Sequence, residues 1–239
     1  MIDSLTVERH GPTLVVTVER EEGNRFTPAM IVELGDILEG TQGEHELRFL
    51  RLRARGPAFC LGREVPESGA RPRPDAVRGL AASIVRVNEL FQRGPLVTVA
   101  EVQGDAAGFG AGLVGNADMA VAVEGSRLAF PEIREGYAPS VVMSWLPHAM
   151  LRKRAFEMVA TGGWVDAERA ARDGLLTEVV PGNRLEARVD ERIAELSSLP
   201  AGALRDVKAF LANTRGIHPA AATAAAVDAL VVGVLRASE

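Results

Sequence analysis

Gly104-Asp-Ala-Ala-Gly-Phe-Gly-Ala-Gly-Leu113 follows the apolar run Leu96-Val-Thr-Val-Ala-Glu-Val102 and reads as a strand that turns through glycine into a helix. The first N–H groups of such a helix have no intrahelical acceptor and carry partial positive charge, so they suit an anion or a polarised carbonyl oxygen. Further on, Phe130-Pro-Glu-Ile133 supplies one carboxylate, Glu132. Backbone donors and an acid/base together suit chemistry beside a carbonyl. Gly110-Ala-Gly-Leu-Val-Gly115 also matches the dinucleotide pattern GxGxxG. That match is weak alone, because glycines in a tight turn serve packing equally well, and Glu124 comes too early for the acidic partner.

Working outward, residues 4–20 alternate apolar and polar about a Gly11-Pro12 turn, which predicts a β-hairpin. Thr27-Pro28 predicts a helix N-cap, and Met30, Ile31, Leu34, Ile37 and Leu38 follow with helical spacing. Leu47–Arg53 alternates as a strand, residues 62–75 read as a Pro/Arg/Gly-rich loop, and a helix is expected from about Ala76 to Gln92. Met119–Val123 reads as a buried strand, and Leu175–Val180 as the one late strand in an otherwise helical C-terminal half. Strands and helices alternating in this order predict an α/β domain with parallel pairing. The expected organisation is a core over 1–183 and a helical region over 184–239.

Composition narrows the function. A 47% hydrophobic content over 239 residues supports a large core, and a net charge of −5 argues against a general nucleic-acid binder. Only Lys153 and Lys208 among the 27 basic residues are lysines, so a bound phosphate would meet mainly arginine, with Arg63, Arg71, Arg73 and Arg78 clustered. A lone cysteine, Cys60, leaves no internal disulfide and no Cys/His metal spacing, so no metal and a reducing, cytoplasmic setting are expected. No basic segment leads into a long apolar stretch at the N-terminus, and no run of about 18 uninterrupted apolar residues occurs, so neither a signal peptide nor a membrane span is expected. His148 reads as a surface or packing residue, and Phe156 and Trp164 as core.

Ala58-Phe-Cys-Leu-Gly-Arg-Glu64, Val102–Leu113 ending in Asp118, Phe130-Pro-Glu-Ile-Arg-Glu-Gly136 with Pro139, and Arg154–Gly162 occur in the order and at the spacing of the crotonase family, the enoyl-CoA hydratases and isomerases, which the chain resembles over most of residues 5–200. The resemblance implies a repeated ββα core of the ClpP/crotonase type with a helical trimerisation region, assembled as a homotrimer or homohexamer. It implies acyl-CoA thioester substrates, with coenzyme A entering as part of the substrate and no separate cofactor. Carried over by position, the oxyanion donors are the backbone N–H groups of Arg63 and Phe109, and Glu132 is the acid/base. Cys60, Leu61, Gly62, Gly108, Gly112, Glu135, Tyr137 and Ser140 are the expected lining of the substrate site. Arg71, Arg73 and Arg78 stand where the family covers CoA.

The chain departs from the hydratase pattern at Gly112, which occupies the place of a second carboxylate 20 residues before Glu132. A hydratase with two acids holds water between them, whereas one carboxylate suffices to move a proton between the α and γ carbons of an enoyl thioester. Hydration and isomerisation both stay open, as do hydrolysis and decarboxylation. Glu135, Tyr137, Ser140 and Asp105 are candidate substitutes for the missing acid, and a noncatalytic homologue that retains acyl-CoA binding is the alternative from another class.

Overall fold

The computed structural model describes residues 5–64 and 73–237. The hairpin forms as β1 (Thr6–His10) and β2 (Thr13–Val18), and a short helix α1 (Glu21–Asn24) leads into α2 (Pro28–Gly40). Thr27 caps α2 by accepting from Met30 N–H at 3.1 Å, with Pro28 at the first helical position. Then come β3 (Phe49–Ala54), β4 (Ala58–Cys60), α3 (Pro74–Arg93), β5 (Val97–Val102), β6 (Asp105–Ala107) and α4 (Phe109–Asn116). After β7 (Met119–Val123) and β8 (Arg127–Ala129) a 3-10 helix spans Pro131–Glu135, followed by α5 (Ser140–Met143), α6 (Leu146–Ala149) and α7 (Arg152–Thr161). The chain continues through β9 (Val165–Asp166), α8 (Ala167–Arg172), β10 (Glu178–Val180), α9 (Leu185–Ser197), α10 (Ala201–Thr214) and α11 (Pro219–Ala237).

Two sheets result, ordered β1-β2-β3-β5-β7-β10 and β4-β6-β8-β9, with parallel pairing except at β1–β2 and β8–β9. Each of β3, β5 and β7 passes its chain into the second sheet and then into helix, which is a ββα unit repeated. The second sheet brings the ends of β4, β6 and β8 side by side. From those ends emerge Leu61–Arg63, Gly108–Phe109 and Phe130–Glu132.

Leu50 and Leu52 of β3 face the main core with Phe26, Phe59, Phe91 and Phe130, all at most 1% exposed. Arg51, between those leucines, points to the other face, where it meets Glu101 of β5 (2.5 Å) and Asp190 of α9 (2.7 Å). Ion pairs therefore seat α9 on the sheet, around a small apolar cluster of Val99, Val121, Val180, Leu185 and Val189. Lys208 seats α10: buried, its Nζ donates to the carbonyls of Phe91 (2.6 Å) and Leu96 (2.5 Å) and to Asp118 Oδ2 (2.7 Å).

Two expectations are corrected. Phe156 and Trp164 are not core but 71% and 46% exposed: α7 turns Ala155, Met158 and Val159 inward, and Trp164 lies under the Arg127 guanidinium, 4.9 Å from its ring centre. A second late strand, β9, precedes β10 and pairs with β8 in the second sheet. In α11, Pro219–Arg236 is long and apolar enough, by length and composition, to cross a membrane, with a mean hydropathy of 1.5. Polar residues such as Thr223 and Asp228 interrupt its apolar run, and the four valines and two leucines of the segment outweigh them in that mean.

Candidate functional site

The glycines of the opening run have different reasons. A Cβ on Gly110 would stand 2.1 Å from the Cys60 carbonyl oxygen, so only glycine lets α4 lie against β4. Gly108, at φ 51° and ψ −117°, turns the chain out of β6 so that α4 starts at Phe109. Packing thus accounts for two glycines of the GxGxxG match, Gly110 and also Gly115, where a Cβ would stand 2.6 Å from the Trp145 ring. Gly112 differs from both. It is buried and ordinary in its helical backbone, yet a Cβ there would meet no atom of the described residues within 4 Å. Among the described residues nothing blocks a Cβ at that position.

β4 ends in Leu61-Gly62-Arg63, braced by the segment before α2. Phe26 N–H donates to the Gly62 carbonyl (3.0 Å), Glu64 N–H donates to the Phe26 carbonyl (2.8 Å), and Arg25 Nη1 donates to the Leu61 carbonyl (2.6 Å). In such a parallel bridge the intervening N–H, that of Arg63, points away from the paired strand. Phe109 N–H, first in its helix, has no intrahelical acceptor. Neither N–H has an acceptor among the described residues. A methyl group on Gly108 would lie 3.8 Å from Gly62 Cα and 3.6 Å from Glu132 Oε1. The two donor segments and the carboxylate therefore converge on Gly108.

Glu132 is held from below by Phe130, which is fully buried and meets Trp145 edge-on at 5.9 Å. The 3-10 turn is fixed against α7 by Arg134 Nε, which donates to the Thr161 carbonyl at 3.1 Å. Glu132 Oε2 is buried and has no hydrogen-bond partner among the described residues. Burial pushes its carboxyl above the ordinary range; the negative charge of Glu135 adds to this, while its own backbone N–H and the Arg63 guanidinium oppose it. The group is a carboxylate made more basic than usual.

Around it, Tyr137 is 44% exposed and its hydroxyl donates to Glu135 Oε2 at 3.1 Å; burial raises the phenol further from ionisation, as does Glu135. Glu135 and Ser140 are exposed, Ser140 donating weakly to the Ala138 carbonyl at 3.4 Å. Cys60 is a core residue, its thiol pushed up to about 12 by burial and hence inert as a nucleophile. Asp105 is engaged by Arg127 at 2.6 Å at the start of β6, away from Gly108. His148 is exposed on α6. Arg73 pairs with Asp75 (2.7 Å), Arg78 is exposed, and Arg71 lies outside the described residues. No cluster of three potential metal ligands occurs among the described residues.

The sequence reading missed the network that holds α4. Asn116 Nδ2 donates to the Gly112 carbonyl (2.8 Å), and Gln92 Nε2 donates to Asn116 Oδ1. Arg215, between α10 and α11, donates to Gln92 Oε1 and to the Trp145 carbonyl, each at 2.7 Å. An asparagine closing an otherwise apolar helix was the one visible signal.

Comparison with known proteins bears on the family and the fold. A sequence model of the family described as Enoyl-CoA hydratase/isomerase matches residues 8–233. The mitochondrial enoyl-CoA hydratase domain-containing protein 3 of Rattus norvegicus is 34% identical over 197 residues, 80% of this chain and 65% of that protein, so the chain spans just under two thirds of the length of that relative. An enoyl-CoA hydratase structure from Mycobacterium smegmatis superposes with a TM-score of 0.90 at 28% identity, covering 96% of this chain and 90% of that one. A structure from Thermobifida fusca, solved in complex with CoA, superposes with a TM-score of 0.87 at 26% identity over 98% and 94% of the two chains. With the motifs, the two-sheet ββα architecture and a family match over nearly its whole length in agreement, the chain belongs to the enoyl-CoA hydratase/isomerase family.

Proposed function

We propose that the protein acts on enoyl-CoA thioesters by proton transfer through an enolate, and that it shifts a double bond between the 3- and 2-positions. The Arg63 and Phe109 N–H groups receive the thioester oxygen, each worth about 3–4 kcal/mol to the charged intermediate. Glu132 takes the proton from the α carbon and returns it at the γ carbon. The observation that carries this reading is the pairing of a buried, unpartnered Glu132 Oε2 with an empty Gly112 position. One base is present where hydration uses two acids. Isomerisation leaves the mass of the ester unchanged and moves the double bond, whereas hydration adds water. Mass analysis of the products from 2-enoyl- and 3-enoyl-CoA esters tests the reading, and hydrated product as the main outcome would sink it.

Gly112→Glu is the sharpest variation on that experiment. A Cβ meets no atom of the described residues there, so the first atom of the new side chain is accommodated, and hydration of a 2-enoyl-CoA ester is expected to rise about 100-fold over wild type. Gly112→Ala should leave hydration low and stabilise the helix by about 1 kcal/mol, which a denaturant titration measures. A Glu variant no better at hydration than the Ala variant would contradict the assignment.

We further propose self-association through α10 and α11. Val207, Leu211, Val227, Leu230, Val231 and Val234 are each more than half exposed on these helices, an apolar surface of the kind that monomers rarely leave open. A trimer or a dimer of trimers is the expected mass by light scattering, and a monomer would refute it.

A further inference from the structure

Glu132 and Glu135 lie three residues apart in the same 3-10 helix, Pro131–Glu135. Side chains at that spacing eclipse in a 3-10 helix, so the two carboxylates stand on one face, one turn apart. Gly136, left-handed at φ 89°, ends the helix and folds the chain back. As a result Tyr137 N–H donates to the Glu132 carbonyl at 3.3 Å while the Tyr137 hydroxyl donates to Glu135 Oε2 at 3.1 Å. One tyrosine thus grips the backbone of the first glutamate and the side chain of the second.

The two glutamates differ in access. Glu132 Oε2 is closed to solvent with no partner among the described residues, whereas Glu135 is exposed. A proton taken up by Glu132 meets no acceptor bonded to that oxygen, and Gly112 offers no side chain on the helix across the site. Among the described residues the charges that act on Glu132 are Glu135 and Arg63, the latter from the loop after β4. Arg134 of the same 3-10 helix is turned to the Thr161 carbonyl at 3.1 Å, and on the packed helix α7 Arg154 and Glu157 pair with each other at 2.8 Å. Glu135 is the carboxylate that the turn itself brings alongside.

We infer that Glu135, aligned by the Tyr137 hydroxyl, is the proton-exchange partner of Glu132, supplied from the same turn in place of the carboxylate that Gly112 lacks. This rests on the proposed role of Glu132 as base. After Glu132 has taken a proton from the α carbon on Oε1, the oxygen that faces Gly108, that carboxylic acid passes the proton through a solvent water to the Glu135 carboxylate. Glu132 is left as carboxylate and Glu135 as acid, which then releases the proton to solvent; the same relay in reverse reloads Glu132 with a solvent proton, the one it then delivers to the γ carbon. No bond to the substrate changes in the exchange itself, and no electrons are gained or lost. Glu135 and Tyr137 act through Glu132 and are positioning residues in this scheme.

The experiment is isomerisation of a 3-enoyl-CoA ester in D2O by the full-length protein, with deuterium in the 2-enoyl product read by mass spectrometry and expressed per product molecule. That ratio is indifferent to a general loss of activity. Glu135→Gln is expected to lower it about tenfold and Tyr137→Phe to lower it less, because the phenylalanine variant keeps the carboxylate but not its alignment. If Glu135→Gln forms too little product, the exchange of the α hydrogens of butanoyl-CoA gives the same comparison without net reaction. A Glu135→Gln ratio equal to that of wild type overturns the inference while leaving Glu132 as base. Full product formation by Glu132→Gln would instead remove the base assignment, and this inference with it.

Discussion

Glu132→Gln is expected to slow both isomerisation and α-hydrogen exchange by about 1,000-fold, because glutamine keeps the size and much of the hydrogen-bonding capacity of the side chain but cannot accept the proton. The pH dependence follows from the environment of the group. Only the carboxylate can act as base, and burial first, then Glu135, raise its proton affinity. Activity in the wild type should therefore fall on the acid side through a midpoint above the ordinary carboxylate range. The same shift has the opposite sign for stability. The folded state holds this proton more tightly than the unfolded state does, so the ionised carboxylate destabilises the fold once the pH exceeds the unfolded-state value, and the penalty is complete above the raised one. Glu132→Gln removes that penalty, and its thermal midpoint at neutral pH should lie above that of wild type. A catalytic loss accompanied by a stability gain marks a group kept in an unfavourable place for its chemistry. An exchange rate within threefold of wild type would refute the role of the residue.

What the sequence revealed depended on how local each feature is. The Thr27-Pro28 cap, the alternation through Leu50 and Leu52 and the strand-glycine-helix run around Gly108 are short-range patterns, and each formed as read. The second sheet was invisible because its strands Ala58–Cys60, Asp105–Ala107, Arg127–Ala129 and Val165–Asp166 are two or three residues long, too short for a period of two to register. Its consequence, the convergence of Arg63, Phe109 and Glu132, was reached through family spacing rather than through strand prediction. Phe156 was assigned to the core by residue type alone, and the helix phase decided otherwise. Contacts such as Arg51 with Asp190, or Arg215 with Gln92, join residues 139 and 123 positions apart and had no local signature. Gly112 shows both limits: its identity exposed the missing acid, but only the three-dimensional surroundings reveal that a Cβ there would meet no atom of the described residues.

Phe109→Pro, compared with Phe109→Ala, isolates the second oxyanion donor and should slow α-hydrogen exchange by a further factor of about 100 to 1,000. The comparison works because of where Phe109 stands. It is the first residue of α4, the one helical position at which proline fits, since its N–H has no intrahelical partner to lose. Gly108 before it, at φ 51° and ψ −117°, is in the mirror image of the extended conformation that residues preceding proline adopt, and having no Cβ it avoids the usual clash. Both variants forfeit the same ring, which is buried and meets Phe26 edge-on at 5.1 Å, so both incur a similar packing loss of about 3–5 kcal/mol. What distinguishes them is a single N–H aimed at the site. Thermal unfolding first establishes a temperature at which the two are equally folded, and exchange of butanoyl-CoA hydrogens in D2O is then compared there. Equal rates would mean that Phe109 N–H does not bear on the thioester oxygen; the main-chain donation assigned to the glycine run would then have to come from elsewhere on α4.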